Sequence, residues 1–412
     1  MVVSVLPAPD AANFPPAEER THRIVDDQQA LDAARQVAVA AAPEAQLRDR
    51  QRHYPLQQLA LFTQSGLGGI SIPREYGGPE LSFTTLAEVF RLISAVDPAL
   101  GQIPQNHFGL IQLIRDAGSE EQKRRIFAAV LAGQRIGNGG PEKNSKHTLD
   151  MQSRLRQTAD GLRFTGDKFY STGALFAHIV AAKALDDRQQ PVLALIPHPA
   201  AGLEIVDDWS GMGQRTTASG TVRLREVLVD PANVIPLLPL AEKPTIQGAV
   251  SQLIQAAIDA GIAQGALDEA TQFIRERSRP WIDAGVERNA DDPYILADVG
   301  RLSMELSAAN ALLRRAARTL DEVDRWPVTA ESAAAASIAV AEAKVLTTEV
   351  ALSASEKLFE WSGSRATLAE HGLDRHWRNA RTHTLHDPVR WKYHAIGEYY
   401  LNGRFPARHS WI

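Results

Sequence analysis

The chain has 412 residues, with 44 basic and 49 acidic side chains and a formal net charge of −5. That length is enough for a sizeable core divided over two or three structural units. An acidic balance without a basic block excludes the phosphate-neutralising chemistry of nucleic-acid binding, and the absence of cysteine excludes disulfides, thiolate catalysis and Cys-ligated zinc or iron–sulfur centres.

Residues 1–25, rich in Pro and Ala, read as a tail or arm. They lack the charged start of a secretory signal. With no run of about 18 apolar residues, no membrane span is expected and the expected location is cytoplasmic. Residues 26–133 have helical periodicity. Ser119-Glu120-Glu121-Gln122 is a capping box, and Gly133 suits a helix stop. Leu86, Val89, Phe90 and Ile93 form one apolar face that ends at Asp97-Pro98.

The period changes after Gly133. Arg154–Thr158 and Leu162–Phe169 flank Ala159-Asp160-Gly161, a hairpin signal. Ile179–Leu185, Val192–Ile196 and Val222–Val229 read as further strands, so 134–240 is a mostly antiparallel β unit. Helical periodicity returns over 241–412. Leu302, Leu306, Ala309, Leu313, Ala316 and Leu320 form one seam. Ile338, Ala341, Val345, Thr348, Leu352, Ser355 and Phe359 form another, as in a four-helix bundle. Gly261 and Gly265 would let another backbone approach, which suggests a homo-oligomer. The fold class is α+β, in the order α, β, α.

No Gly-x-Gly-x-x-Gly unit sits between a strand and a helix, and no phosphate-binding Gly-x-x-x-x-Gly-Lys-Ser/Thr loop occurs. The densest titratable cluster is Arg378 to Pro388. If it is helical up to the proline, His383 and His386 share a face, with Asp387 beside them. Three readings stay open for it. The imidazoles suit proton transfer with Asp387 orienting one of them, two His and a carboxylate could form a facial metal triad, or the histidines serve a helix end.

Pro73-Arg74-Glu75-Tyr76-Gly77-Gly78 and the α–β–α order resemble the acyl-CoA dehydrogenase superfamily. Asn138 to Asp150, Lys168 to Gly173, Asp207-Asp208-Trp209, Arg279-Pro280-Trp281, Asp292-Pro293-Tyr294, Arg378 to Pro388 and Leu401-Asn402-Gly403 are similar to its dibenzothiophene monooxygenase type and related sulfur-acquisition oxidoreductases. The resemblance implies an N-terminal helical domain, a middle β-barrel or sandwich and a C-terminal four-helix bundle, with a flavin between the last two. It implies that Asn138, Tyr170, Thr172 and Trp209 line the flavin, Thr172 near N5. Arg279 and Arg365 would hold an FMN phosphate, as bidentate guanidinium groups can.

Two departures set the kind of flavoenzyme implied. Dehydrogenases carry Glu-Gly where this chain has Asp387-Pro388. Their Gln-x-x-Gly-Gly adenine motif reads Phe359-Glu360-Trp361-Ser362-Gly363-Ser364-Arg365 here, which favours FMN over FAD. A third departure concerns the substrate: Gln102 and Asn106 stand where the dibenzothiophene type has His and Tyr, which favours a small organosulfur substrate. The implied activity is a two-component monooxygenase. Reduced FMN would come from a separate NAD(P)H-dependent flavin reductase and react with O₂ to a C4a-hydroperoxyflavin. His386 would bind the flavin and act as proton relay, with His383 and Asp387 supporting it and His107 lining the pocket. No metal is expected, and a homotetramer is implied, with Arg365 serving a neighbour's flavin. The alternatives are an FAD-dependent acyl-CoA dehydrogenase with Asp387 as base and a non-oxygenase flavin- or metal-binding protein.

Overall fold

The computed structural model describes residues 21–143, 145–146 and 150–412. Most of the expected N-terminal tail lies outside the described residues. Residues 21–24, assigned to the same tail, instead pack on the helical unit: the His22 N–H donates to the Gln64 carbonyl at 2.8 Å and Ile24 is buried.

The first unit comprises α1 (Asp27–Ala41), α2 (Ala45–Gln51), α3 (Leu56–Gln64), α4 (Phe83–Ser94), α5 (Pro98–Gln102), α6 (Gln105–Ala117) and α7 (Glu120–Leu131). Ser119 and Gln122 form the expected reciprocal cap of α7, which satisfies amide groups that a helix start leaves bare. The apolar face of α4 is buried as its spacing requires. The helix stops at Ser94, before the predicted end, because Asp97 caps α5 instead. Asp97 also takes the buried guanidinium of Arg48 at 2.8 Å, so one carboxylate fixes both a helix start and the docking of α2.

The middle unit holds β1 (Ile136–Gly139), β2 (Arg154–Thr158), β3 (Gly161–Lys168), β4 (Ile179–Leu185), β5 (Pro191–Pro197), β6 (Leu203–Val206), β7 (Thr221–Val229) and β8 (Val234–Pro236). The sheet order is β6-β7-β3-β2-β4-β5-β8, with β1 running parallel to β4 off that path. The hairpin β2–β3 pairs Thr158 with Gly161. Three strands, β1, β6 and β8, were not expected. They have four, four and three residues, too few for an alternating pattern to register.

The last unit contains α8 (Leu238–Glu242), α9 (Gln247–Glu276), α10 (Pro293–Val323), α11 (Ala330–Ser362), α12 (Asp374–His383) and α13 (Val389–Asn402). Three long helices form the bundle and α13, half their length, lies along α11 as the fourth. Every residue of the Leu302–Leu320 seam is buried. Gly261 and Gly265 do not await another subunit. A Cβ on Gly261 would lie 2.6 Å from the Arg91 carbonyl oxygen, and one on Gly265 would lie 2.1 Å from that of Ala95. The glycines therefore seat the end of α4 against α9 within the chain. Among the described residues, no helix is long and apolar enough to cross a membrane.

Candidate active site

Asn138 sits in β1 and shapes the turn that follows β3. Its backbone N–H donates to the Thr172 carbonyl at 3.2 Å, and its side-chain amide donates to the Tyr170 carbonyl at 3.2 Å. Tyr170 has φ +58°, a left-handed conformation uncommon for a side chain of this bulk. The turn leaves the residue 52 % exposed, its ring 6.2 Å from that of Trp209 in a T-shaped arrangement. The Trp209 indole N–H donates to the Gln214 carbonyl at 2.9 Å. Thr172 is buried, and its hydroxyl lies 2.7 Å from that of Ser219, which lies 2.7 Å from that of Thr217. Asn138, Tyr170, Thr172 and Trp209 thus form one wall.

A second wall comes from α12 and the turn after it. Three bonds join the walls: the Gly213 N–H donates to the Thr382 hydroxyl at 3.0 Å, the Gln214 N–H donates to the Asn379 side-chain oxygen at 2.6 Å, and the Arg378 guanidinium donates to the Met212 carbonyl at 2.9 Å. The expected shared face of His383 and His386 is not formed, because α12 ends at His383 and His386 and Asp387 lie in the turn. His383 is buried between Asp259 of α9, 2.5 Å from Nδ1, and the Gln102 side chain, 3.0 Å from Nε2. Asp259 also receives Lys344 at 2.5 Å and the Thr348 hydroxyl at 2.7 Å. Burial alone would raise the Asp259 pKa, yet the charge of Lys344 and the His383 contact hold it down to about 2. Burial lowers the His383 pKa against the pull of Asp259, so this imidazole is neutral at neutral pH.

His386 remains part-exposed, and its Nδ1 lies 3.2 Å from Asp387. The buried Asp387 carboxylate pairs with Lys392 at 2.8 Å, and Lys392 also donates to the Trp411 carbonyl at 2.8 Å. Burial would raise the Asp387 pKa, but the His386 bond and the charges of Lys344 and Lys392 take it well below the usual carboxylate range. With Nδ1 turned to Asp387, Nε2 is the ring nitrogen of His386 that has no hydrogen-bond partner among the described residues. His386, Asp387 and Lys392 line a cavity of about 830 Å³, together with Trp391, Phe405 and Trp411.

The other predicted residues stand apart. His107 is buried, with Nδ1 accepting the Ile136 N–H at 3.1 Å and Nε2 2.8 Å from the Gly68 carbonyl. Both ring nitrogens are therefore spent on backbone, one at the start of β1 and the other in the turn at Gly68. Arg279 and Arg365 are exposed and near in space, Arg365 donating to the Arg277 carbonyl at 2.7 Å. No contact among the described residues links them to the Tyr170 wall. No group of His, Asp and Glu among the described residues is arranged to hold a metal ion. Sequence reasoning missed Ser219, Thr217, Asp259, Lys344 and Lys392. The hydroxyl run Thr216-Thr217-Ala218-Ser219, and charges placed on otherwise apolar helical faces, were the available signals.

The acyl-CoA dehydrogenase N-terminal domain matches residues 25–134, and the acyl-CoA dehydrogenase C-terminal domain matches residues 253–391. The dibenzothiophene monooxygenase of Rhodococcus erythropolis is 34 % identical over 83 % of this chain and 86 % of its own length. The probable FMNH2-dependent monooxygenase SfnC of Pseudomonas putida is 32 % identical over 92 % of this chain and 96 % of its own. The crystal structure of FMN-bound TdsC from Paenibacillus sp. A11-2 superposes with a TM-score of 0.88 at 33 % identity, covering 93 % of this chain and 100 % of that one.

The chain belongs to the acyl-CoA dehydrogenase superfamily, in its branch of FMNH2-dependent monooxygenases. The residues present fit a flavin. The Ser171 hydroxyl and both polar atoms of the Gln214 side chain are buried without a hydrogen-bond partner among the described residues. Such groups are costly unless a ligand satisfies them. Tyr170 and Trp209 add the aromatic surface that a planar ring system covers.

Proposed function

We propose that the chain oxygenates a small organosulfur compound, using dioxygen and reduced FMN supplied by a separate NAD(P)H-dependent flavin reductase. In the overall balance a sulfide or more oxidised sulfur group gains one oxygen atom of O₂, the other leaves as water, and reduced FMN becomes FMN. When bound, reduced FMN supplies the two electrons of that reaction. The observation that carries the reading is the His386–Asp387–Lys392 arrangement in the turn that follows α12, the helix bonded to the segment after Trp209. It places a part-exposed imidazole on an ionised, ion-paired carboxylate.

Asn138, Tyr170, Thr172 and Trp209 would hold the flavin ring, with Thr172 at N5. Asp387 would orient His386 and stabilise its imidazolium, and His386 would hold the flavin and hand over the proton at Nε2. His383 would support the turn, its tautomer fixed by Asp259. Arg279 and Arg365 would take the phosphate, and the lack of any contact between them and the Tyr170 wall among the described residues agrees with a homotetramer in which Arg365 serves a neighbour's flavin. Gln102 and Asn106, polar and non-aromatic, favour a small substrate over a fused thiophene. A dehydrogenase using Asp387 as base is disfavoured, because a carboxylate held ionised by Lys392 and His386 has little affinity for a substrate proton.

The test is stopped-flow mixing of the anaerobic protein–reduced FMN complex with O₂. A transient absorbance distinct from reduced and oxidised FMN is expected, shortened at least about tenfold in His386→Ala. Reoxidation at the rate of free FMN, with no transient, would refute the reading.

A further inference from the structure

The hydroxyl chain behind Thr172 has a direction. Each hydroxyl carries one hydrogen. Thr217 Oγ1 lies 2.9 Å from the Gln214 carbonyl oxygen, which has no hydrogen to give, so Thr217 donates there. Its hydrogen is then spent, and Ser219, 2.7 Å away, must donate to Thr217. Ser219 in turn has nothing left for Thr172, so the Thr172 hydroxyl donates to Ser219 across 2.7 Å.

All three hydroxyls are buried, so water does not redirect them. The carbonyl at the end of the chain cannot turn away. It also accepts the Trp209 indole N–H at 2.9 Å, and the N–H of the same residue is held by Asn379 at 2.6 Å. Thr172 is left with lone pairs as its only offer to a ligand.

We infer that the chain Thr217–Ser219–Thr172 makes Thr172 an obligate acceptor, which selects the reduced flavin over the oxidised one. The inference rests on the proposal that Thr172 meets flavin N5. In reduced flavin N5 carries a hydrogen and can donate to Thr172. In oxidised flavin N5 presents a lone pair, and two acceptors then face each other without a hydrogen between them. An enzyme fed by a diffusing reductase product needs this asymmetry, since it must capture reduced FMN and release FMN. Thr217 and Ser219 are positioning residues in this scheme and act through Thr172.

The penalty for two facing acceptors in a buried site corresponds to an affinity ratio of at least about tenfold in favour of reduced FMN. By linkage, each tenfold raises the two-electron midpoint potential of the bound flavin by about 30 mV. The experiment measures Kd for oxidised FMN in air and for dithionite-reduced FMN under anaerobic conditions, in the wild type, Thr217→Val, Ser219→Ala and Thr172→Val. Thr217→Val frees Ser219 to donate to Thr172, and Thr172 to donate to N5. The reduced-to-oxidised preference should fall about tenfold, mainly through tighter binding of oxidised FMN.

Ser219→Ala should do the same and decides the matter if Thr217→Val does not fold. A purely structural role would weaken both forms alike and leave the ratio and the potential unchanged, which would overturn the inference. A wild-type preference for oxidised FMN would also overturn it. If Thr172→Val leaves both affinities untouched, the placement of Thr172 at N5 fails instead.

Discussion

His107 shows how burial settles what an imidazole can do. Because Nδ1 accepts the Ile136 N–H, Nε2 must carry the hydrogen and donate to the Gly68 carbonyl. Burial lowers its pKa from 6.5 to about 4, against the Gly68 bond. The folded protein then binds fewer protons than the unfolded chain between those values. The stabilisation is fully present above pH 6.5 and is lost as pH falls through 4. The loss is about 3 kcal/mol over the whole interval. Urea unfolding at pH 7.0 and pH 4.5 should show wild-type stability falling steeply, whereas His107→Gln starts lower and falls less. Equal slopes would remove His107 as the source. The same contrast explains what was legible. His386 and Asp387 stand together in the sequence and in space, so their contact was legible. Ser219 and Thr172 are 47 residues apart, Asp259 and His383 124. Their pairing is created only by the packing of elements, and one sequence holds no trace of it.

At the scale of elements, the segment from Asp207 to Gly220 governs the site, and three neighbours grip it. The Tyr54 hydroxyl donates to Asp207, and Arg52 lies 3.5 Å from the same carboxylate. Asp208 accepts the backbone N–H and hydroxyl of Thr221 at 2.7 and 2.6 Å. Arg378 of α12 donates to the Met212 carbonyl at 2.9 Å while pairing with Asp49 and Asp374. The closest approach is at Gly213, where a Cβ would lie 2.0 Å from the Arg378 carbonyl oxygen. Backbone cannot yield as a flexible side chain does. Gly213→Ala should therefore cost about 1–3 kcal/mol and push the segment off α12. A thermal melt should show a drop of several degrees, and FMN titration should show weaker binding of both redox forms with their ratio preserved. Unchanged melting and binding would mean that the contact is slack. The helices around this segment were legible from caps and periodicity, signals carried within one element. The irregular segment was not, because its shape comes from partners in all three units.

For the whole molecule, the residues proposed to hold the flavin fall into two groups within the described chain. The ring wall lies at Tyr170 and Trp209, whereas Arg279 and Arg365 stand exposed at the far ends of α9 and α11. Beside the arginines, Trp281 and Ile282 are 69 % and 86 % exposed. Large apolar side chains of this kind, left open next to exposed arginines, are what a surface covered by a partner presents. If the partner is a second copy, each pocket takes its ring wall and His386 from one chain and its phosphate arginines from the other. Co-expression of His386→Ala and Arg365→Ala chains in equal amounts tests this. Neither variant alone should oxygenate. In a mixed pair, one pocket carries both lesions and the other carries none. With random pairing half of the pairs are mixed, so about a quarter of wild-type activity should return. If each chain builds its pocket alone, every pocket keeps one lesion whatever the mixture, and the activity of the co-expressed protein should not rise above that of the single variants.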